Sequence, residues 1–163
     1  MVDDVALYGG HNATFIEVED ALVDRVPSSV TRPRLFHEVE MFAGLASRYF
    51  NCINVHIGGD FVTQAIDPKD VVIVLDVGAA QMDTLESFDQ WLLYRMFDGR
   101  NAQLNGICIY TSLIVRYPDG HPLFEEGVRR LRAALWNATE IEDAGHIEVH
   151  QCREGVLDET ALV

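Results

Sequence analysis

Apolar positions along this chain recur with two different periods, and the switches between them lay out its elements. From Pro33 onward, Leu35, Phe36, Val39, Phe42, Ala43, Ala46, Tyr49 and Phe50 follow a period of about 3.6, which predicts a helix with Pro33 in its opening turn. Upstream of it, Thr14 and Glu17 have the spacing of a capping box. Phe15, Val18 and Leu22 share a face behind them, so a short helix follows the loop LYGGHN and ends near Val26-Pro27. Cys52 to Ile57 alternates as a strand does, Gly58-Gly59 turns into FVTQAI, and Asp67-Pro68-Lys69 breaks the pattern again. Val71 to Val77 is a short β-branched run and predicts a strand buried on both faces.

The second half continues the alternation. Asp83 and Glu86 form another capping pair, with Leu85, Phe88, Leu92 and Met96 carrying a helix to Asp98-Gly99. Ile107 to Val115 reads as a strand, Pro122 to Trp136 as a long helix and His146 to Cys152 as a last strand, before the acidic tail REGVLDETALV. The order predicts an α/β fold: a small mixed β-sheet covered by helices, in one domain over 1–152 with residues 153–163 as a frayed tail.

Composition narrows the function classes. With 163 residues, 48% of them hydrophobic, the chain has material for one core. No apolar run approaches the ~20 residues of a membrane helix, and the acidic start MVDDVALYGG lacks the form of a secretory signal, so a cytoplasmic protein is expected. Twenty-six carboxylates against 12 Lys and Arg give a formal charge of −14. That field repels phosphate backbones and attracts basic surfaces, so direct nucleic-acid binding is disfavoured and a basic protein partner is favoured. Cys52, Cys108 and Cys152 lie far apart without a CxxC pair, signal neither a disulfide framework nor a zinc clip, and are expected as small buried strand residues.

Two motifs compete for the stretch GGDFVTQAIDPKDVVIVLDVG, residues 58 to 78. Ile73 to Ala80 resembles the strand-acid-glycine opening of S-adenosylmethionine-dependent methyltransferases. Ala80 and Met82 stand where further glycines would let backbone approach the cofactor, and ICIYTSLIV ends without the acid that would hold a ribose.

The other motif begins at the glycines. After the pair Gly58-Gly59, the residues Phe61, Val62, Thr63, Pro68 and Asp70, with a nine-residue spacer between Asp60 and Asp70, resemble the core of an uncharacterised family of small nucleotidyltransferase-like proteins of bacteria and phages, within the polymerase-beta-like superfamily. The family core reads DGSFVT, a spacer, then PxDIDLVV. HNATFIEVEDAL, RPRLFHEVEMFAGLA, YPDGHPLFEEGVRRLRAALW and GHIEV extend the likeness over nearly the whole chain. The resemblance implies a nucleotidyltransferase-like core in which glycine admits a triphosphate, serine donates to it, and carboxylates two apart on a strand hold Mg²⁺.

Departures fall on the reacting groups. Asp60 replaces the serine and brings a negative charge instead of a hydroxyl; Val72 replaces the second carboxylate. Ile107 to Val115 carries no acid to serve as a third ligand, only Thr111 and Ser112, and Asp76 lies on the Asp70 face but ~20 Å away along the strand. The expectation is a relic site of Gly58, Gly59, Asp60, Asp70 and Val72 with no catalytic residue, cofactor or metal ligand. Such a protein would act by protein binding, as an antitoxin, immunity factor or phage-encoded inhibitor does. The competing reading is a residual metal-dependent nucleotidyltransferase using Asp60 and Asp70; a methyltransferase ranks third.

Other features carry less chemistry. His146 and His150 share a strand face at a spacing that does not converge on one metal, and read as surface residues; His37 and His56 lack a nearby nucleophile. Asp119-Gly120-His121-Pro122 reads as a capping turn. Arg129, Arg130 and Arg132 are expected to pair with Glu125, Glu126 and other acids, and Trp91 and Trp136 to lie in the core.

Overall fold

The computed structural model describes residues 11–97, 102–104, 106–136 and 145–153. In chain order the elements are β1 (His11–Ala13), α1 (Phe15–Glu19), α2 (Arg32–Ala46), β2 (Cys52–Gly58), β3 (Asp70–Gly78), α3 (Ala79–Asp83), α4 (Ser87–Met96), β4 (Ala102–Leu104), β5 (Ile107–Arg116), α5 (Phe124–Trp136) and β6 (Ile147–Cys152). They form one mixed six-stranded sheet ordered β1-β6-β2-β3-β5-β4. β2 runs antiparallel to both β3 and β6, while β3 and β5 are parallel and connected through α3 and α4. An α/β fold is therefore what this sequence forms.

Both faces of the sheet are used. On one, Val55, Ile57, Ile73 and Leu75 pack against Leu35, Val39 and Ala43 of α2 and Leu93 of α4. On the other, Val72, Val74 and Ile114 are covered by Leu131, Ala134 and Leu135 of α5. Residues Val71 to Val77 are all buried, as a strand between two helical layers requires. Among the described residues no helix is long and apolar enough to cross a membrane.

Local signals explain most boundaries. Thr14 and Glu17 make the expected box, Glu17 accepting the Thr14 backbone N–H at 2.7 Å, and the helix then widens into a π-helical turn over Asp20–Asp24. The Asp83–Glu86 pair does not start a helix: Asp83 is the last residue of α3, and α4 begins after Glu86 without a side-chain cap. The reason is Gln81, whose Oε1 accepts the Gly78 N–H and so starts a helical turn directly at the end of β3. Two edge strands escape the periodicity because each has only three residues. α5 begins at Phe124, two residues after Pro122, and Glu126 there binds Arg129 and Arg130 as expected.

Three expectations are overturned. Cys52 and Cys152 form a disulfide joining β2 to β6, with their Cα atoms 4.0 Å apart. They are opposed across the ladder, next to the pair whose Arg153 N–H donates to the Asn51 carbonyl; this is the non-hydrogen-bonded position at which antiparallel side chains approach most closely. Closing a sequence separation of 100 residues stabilises by about 4–5 kcal/mol on the chain-entropy account. Trp91 is 56% exposed, because the buried face of α4 is taken by Leu93 and the following Phe97. His146 is half-buried beside His56, with ring centroids 5.4 Å apart, and burial and that neighbour push its pKa down. The side chain of Trp136, the Asp98-Gly99 helix end and the tail beyond residue 153 lie outside the described residues.

Candidate functional site

The glycine turn sits where β2 hands over to β3. Gly59 has φ 79° and ψ −167°, a conformation essentially confined to glycine, and Asp60–Val62 forms a 3-10 turn behind it. Asp70, the first residue of β3, accepts the Asp60 backbone N–H on Oδ1 at 2.8 Å. A Cβ at position 59 would overlap that same oxygen. Burial and the Asp60 carboxylate raise the Asp70 pKa, while the hydrogen bond from Asp60 opposes the rise.

Val72 lies one pleat further along the same face and is 2% exposed. Gly58 packs between it and Leu135: a Cβ built on Gly58 would meet Val72 at 3.7 Å and Leu135 at 3.6 Å. Across the parallel ladder, Asp70 faces Cys108 and Val72 faces Tyr110. Thr111 points into the opposite core beside Ile73, and Ser112 faces Val74. The residues beside Asp70 and Val72 on the next strand are thus Cys108 and Tyr110, which the strand's content of acids did not bring forward. Burial, Cys108 and Asp70 together push the Tyr110 phenol pKa up. The structure brings Gly58, Gly59, Asp60, Asp70 and Val72 together, with α5 side chains packed on Gly58 and Val72.

The loop after the turn is held from below by Arg32, 2% exposed at the start of α2. Its guanidinium donates to the carbonyls of Phe61 at 2.9 Å, Thr63 at 2.7 Å, Ala65 at 2.6 Å and Leu22 at 3.1 Å. Burial lowers its pKa and the Asp67 carboxylate opposes that. Asp67 accepts the Ser29 hydroxyl and the Val30 and Thr31 N–H groups on one oxygen, which ties the loop to the α2 entry. Nothing in the period of the sequence marks Arg32 as buried; the exposed carbonyls of an irregular loop are the reason a five-donor fork sits there.

Further along the same sheet face lies a buried polar cluster. Asp76 is 3% exposed, with Oδ2 3.4 Å from His56 Nε2 and 3.2 Å from the Arg116 guanidinium. Asp76 Oδ1 and His56 Nδ1 have no hydrogen-bond partner among the described residues. Beyond it, Asn54 faces His150, and an open pocket is lined by Asn12, Asn54, Glu17, Glu148 and His150.

A different surface presents aromatics to solvent. On α4, Phe88 and Trp91 stack with centroids 5.9 Å apart, Arg95 lies over Trp91, and Tyr94 is 48% exposed. Exposed Asp83 and Glu86 flank this ridge.

An α/β sheet with helices on both faces, a glycine-strand turn and a buried polar strip define the class of this protein structurally. The chain belongs to a family of unknown function, DUF6932, whose pattern matches residues 3–148. None of the curated proteins and none of the solved structures matches it.

Proposed function

We propose that this chain is a binding protein on a nucleotidyltransferase-like scaffold, without nucleotidyl transfer, acting in the cytoplasm on a basic protein partner. The carrying observation is Val72: the position for a second metal carboxylate holds an aliphatic side chain packed under Leu131 and Leu135. Three further features support the reading. The 3-10 turn directly after Gly59, followed by Asp70 at the head of β3, suits the glycine-turn and strand-acid layout of that superfamily. Asp70 spends one oxygen on the backbone of the glycine turn. Asp60 places a carboxylate where a triphosphate would need a donor.

The positive half of the proposal rests on charge and exposed aromatics. A formal charge of −14 steers basic surfaces, and the Phe88-Trp91-Tyr94 ridge offers the rigid aromatic area that anchors interfaces. Recognition of the kind practised by antitoxins, immunity factors and inhibitors needs no more than this, although fold alone does not name the partner.

Calorimetry with Mg²⁺ and ATP tests the first half. The proposal expects no binding heat, and an unchanged partner complex in Asp70→Asn, which keeps the Oδ1 acceptor while removing the charge. A metal-dependent heat lost in Asp70→Asn would establish the enzyme reading with Asp60 and Asp70 instead. For the second half, a complex isolated from the native host should weaken with salt and on Trp91→Ala or Glu86→Lys.

A further inference from the structure

We infer that Cys52, Cys152 and His150 form a redox-gated binding site for a borderline-soft divalent cation of the Zn²⁺ type. It stands independently of the proposed binding role. The three donor atoms lie within 4.8 Å of one another. His150 and Cys152 are two apart on β6 and so share a face, and Cys52 stands opposite Cys152 on β2. Considering β6 alone pairs His150 with His146; the sheet pairs it with the sulfurs instead, His150 Nε2 lying 3.3 Å from Cys152 Sγ.

The histidine is already oriented as a ligand. Its Nδ1 is 2.5 Å from Asn54 Oδ1, and an amide oxygen only accepts, so the neutral tautomer that suits this contact has its proton on Nδ1 and turns Nε2 toward the sulfur. A partner of this kind on the far ring nitrogen is the usual support of a metal-bound imidazole. Zinc bonds of about 2.3 Å to sulfur and about 2.0 Å to nitrogen set tetrahedral donors under ~4 Å apart, so the sulfurs need only part by side-chain rotation. Two thiolates and an imidazole form a donor set suited to zinc rather than to magnesium or calcium. His150 and Cys152 lie beyond residue 148, the last residue of the family match, whereas Cys52 lies within it.

The disulfide and the cation exclude each other because both use the same sulfur electrons. A dithiol reductant opens the Cys52–Cys152 bond: its two S–H groups become a disulfide, and two electrons and two protons pass to Cys52 and Cys152. Cation binding then forms two metal–sulfur bonds and one metal–nitrogen bond and releases the two thiol protons. His150 is exposed and lines the open pocket, so cation and reductant reach the cluster from solvent.

The test uses the full chain, reduced with dithiothreitol, freed of it without air, and titrated with Co²⁺ as an optical probe. Reduced protein should take up one Co²⁺ per chain with a sulfur-to-cobalt charge-transfer band that Zn²⁺ bleaches, and oxidised protein should give no band. Cys108→Ser should retain the band, Cys152→Ser should lose it, and His150→Ala should keep charge transfer with affinity at least ~10-fold weaker. Because Cys152→Ser also removes the cross-link, reduced wild type with alkylated thiols serves as a second silent reference. A disulfide that dithiothreitol leaves intact, a reduced chain that binds no Co²⁺, or a band that survives Cys152→Ser or alkylation would overturn the site.

Discussion

Asp70 Oδ1 occupies the space that a side chain on Gly59 would need, and the same oxygen holds the N–H of the next residue, Asp60, at 2.8 Å. The turn between β2 and β3 therefore combines a backbone angle that only glycine tolerates with a neighbour that only glycine can accommodate. Gly59→Ala is expected to cost about 2–4 kcal/mol. Gly120→Ala, at φ 82° with open space around it, should cost only about 1 kcal/mol. Denaturant unfolding of the two variants checks the difference; equal losses would show that the overlap with Asp70 contributes nothing.

Arg32 supplies the loop behind that turn with donors for the carbonyls of Leu22, Phe61, Thr63 and Ala65. Arg32→Met leaves these acceptors without it and should destabilise by about 3–5 kcal/mol, with Arg32→Lys recovering only part because an ammonium cannot reproduce the fork. Thermal unfolding of both is the measurement, and a Lys variant equal to wild type would refute the geometric argument.

Asp76 is expected to be costly to remove alone and cheap to remove with its partner. Asp76→Leu should lose about 2–4 kcal/mol by leaving His56 buried without its carboxylate, a figure reduced because Arg116 can turn to solvent. The double change His56→Leu with Asp76→Leu should regain most of that loss. A double-mutant cycle in urea decides; additive losses would mean the pair is not coupled.

Acid should weaken the fold through Asp67. The Val30 N–H and the Ser29 hydroxyl, with a lesser part from Thr31, hold its folded pKa below the ordinary 3.8 against the opposing effect of burial. Its contribution is therefore complete above pH 3.8 and lost as pH falls through the lower folded value. Asp70 has the opposite sign: its raised pKa favours the folded state in acid and disfavours it as pH rises through that value. Asp67→Asn should lower the unfolding midpoint at neutral pH and flatten the acid limb, measured by thermal melts between about pH 2.5 and 7.

What the sequence makes legible is what a single element determines for itself. The Thr14–Glu17 box, the α2 stripe and the buried run of β3 all depend on residues within one turn or one pleat of each other, and each is found. The turn that seats Gly59 against Asp70 is legible too, because Gly58 to Val72 is one short contiguous stretch. Relationships between strands were not. Periodicity tells which face His150 occupies and says nothing of Asn54 and Cys52 across the ladder, so the disulfide and the Asp76–His56 pair stayed hidden. Arg32 failed for a related reason: a charged residue in a helical first turn normally faces water, and only the loop packed beneath it explains its burial.

The position of β6, seated between β1 and β2, has a consequence for biosynthesis. During translation β2, β3 and β5 emerge together and can associate on the ribosome, but the N-terminal strand must wait, without a pairing partner, until residues near Val149 leave the exit tunnel. Until then the chain is a half-built sheet whose β2 edge stays open, and this is the stage at which a chaperone or a second nascent chain would find something to hold.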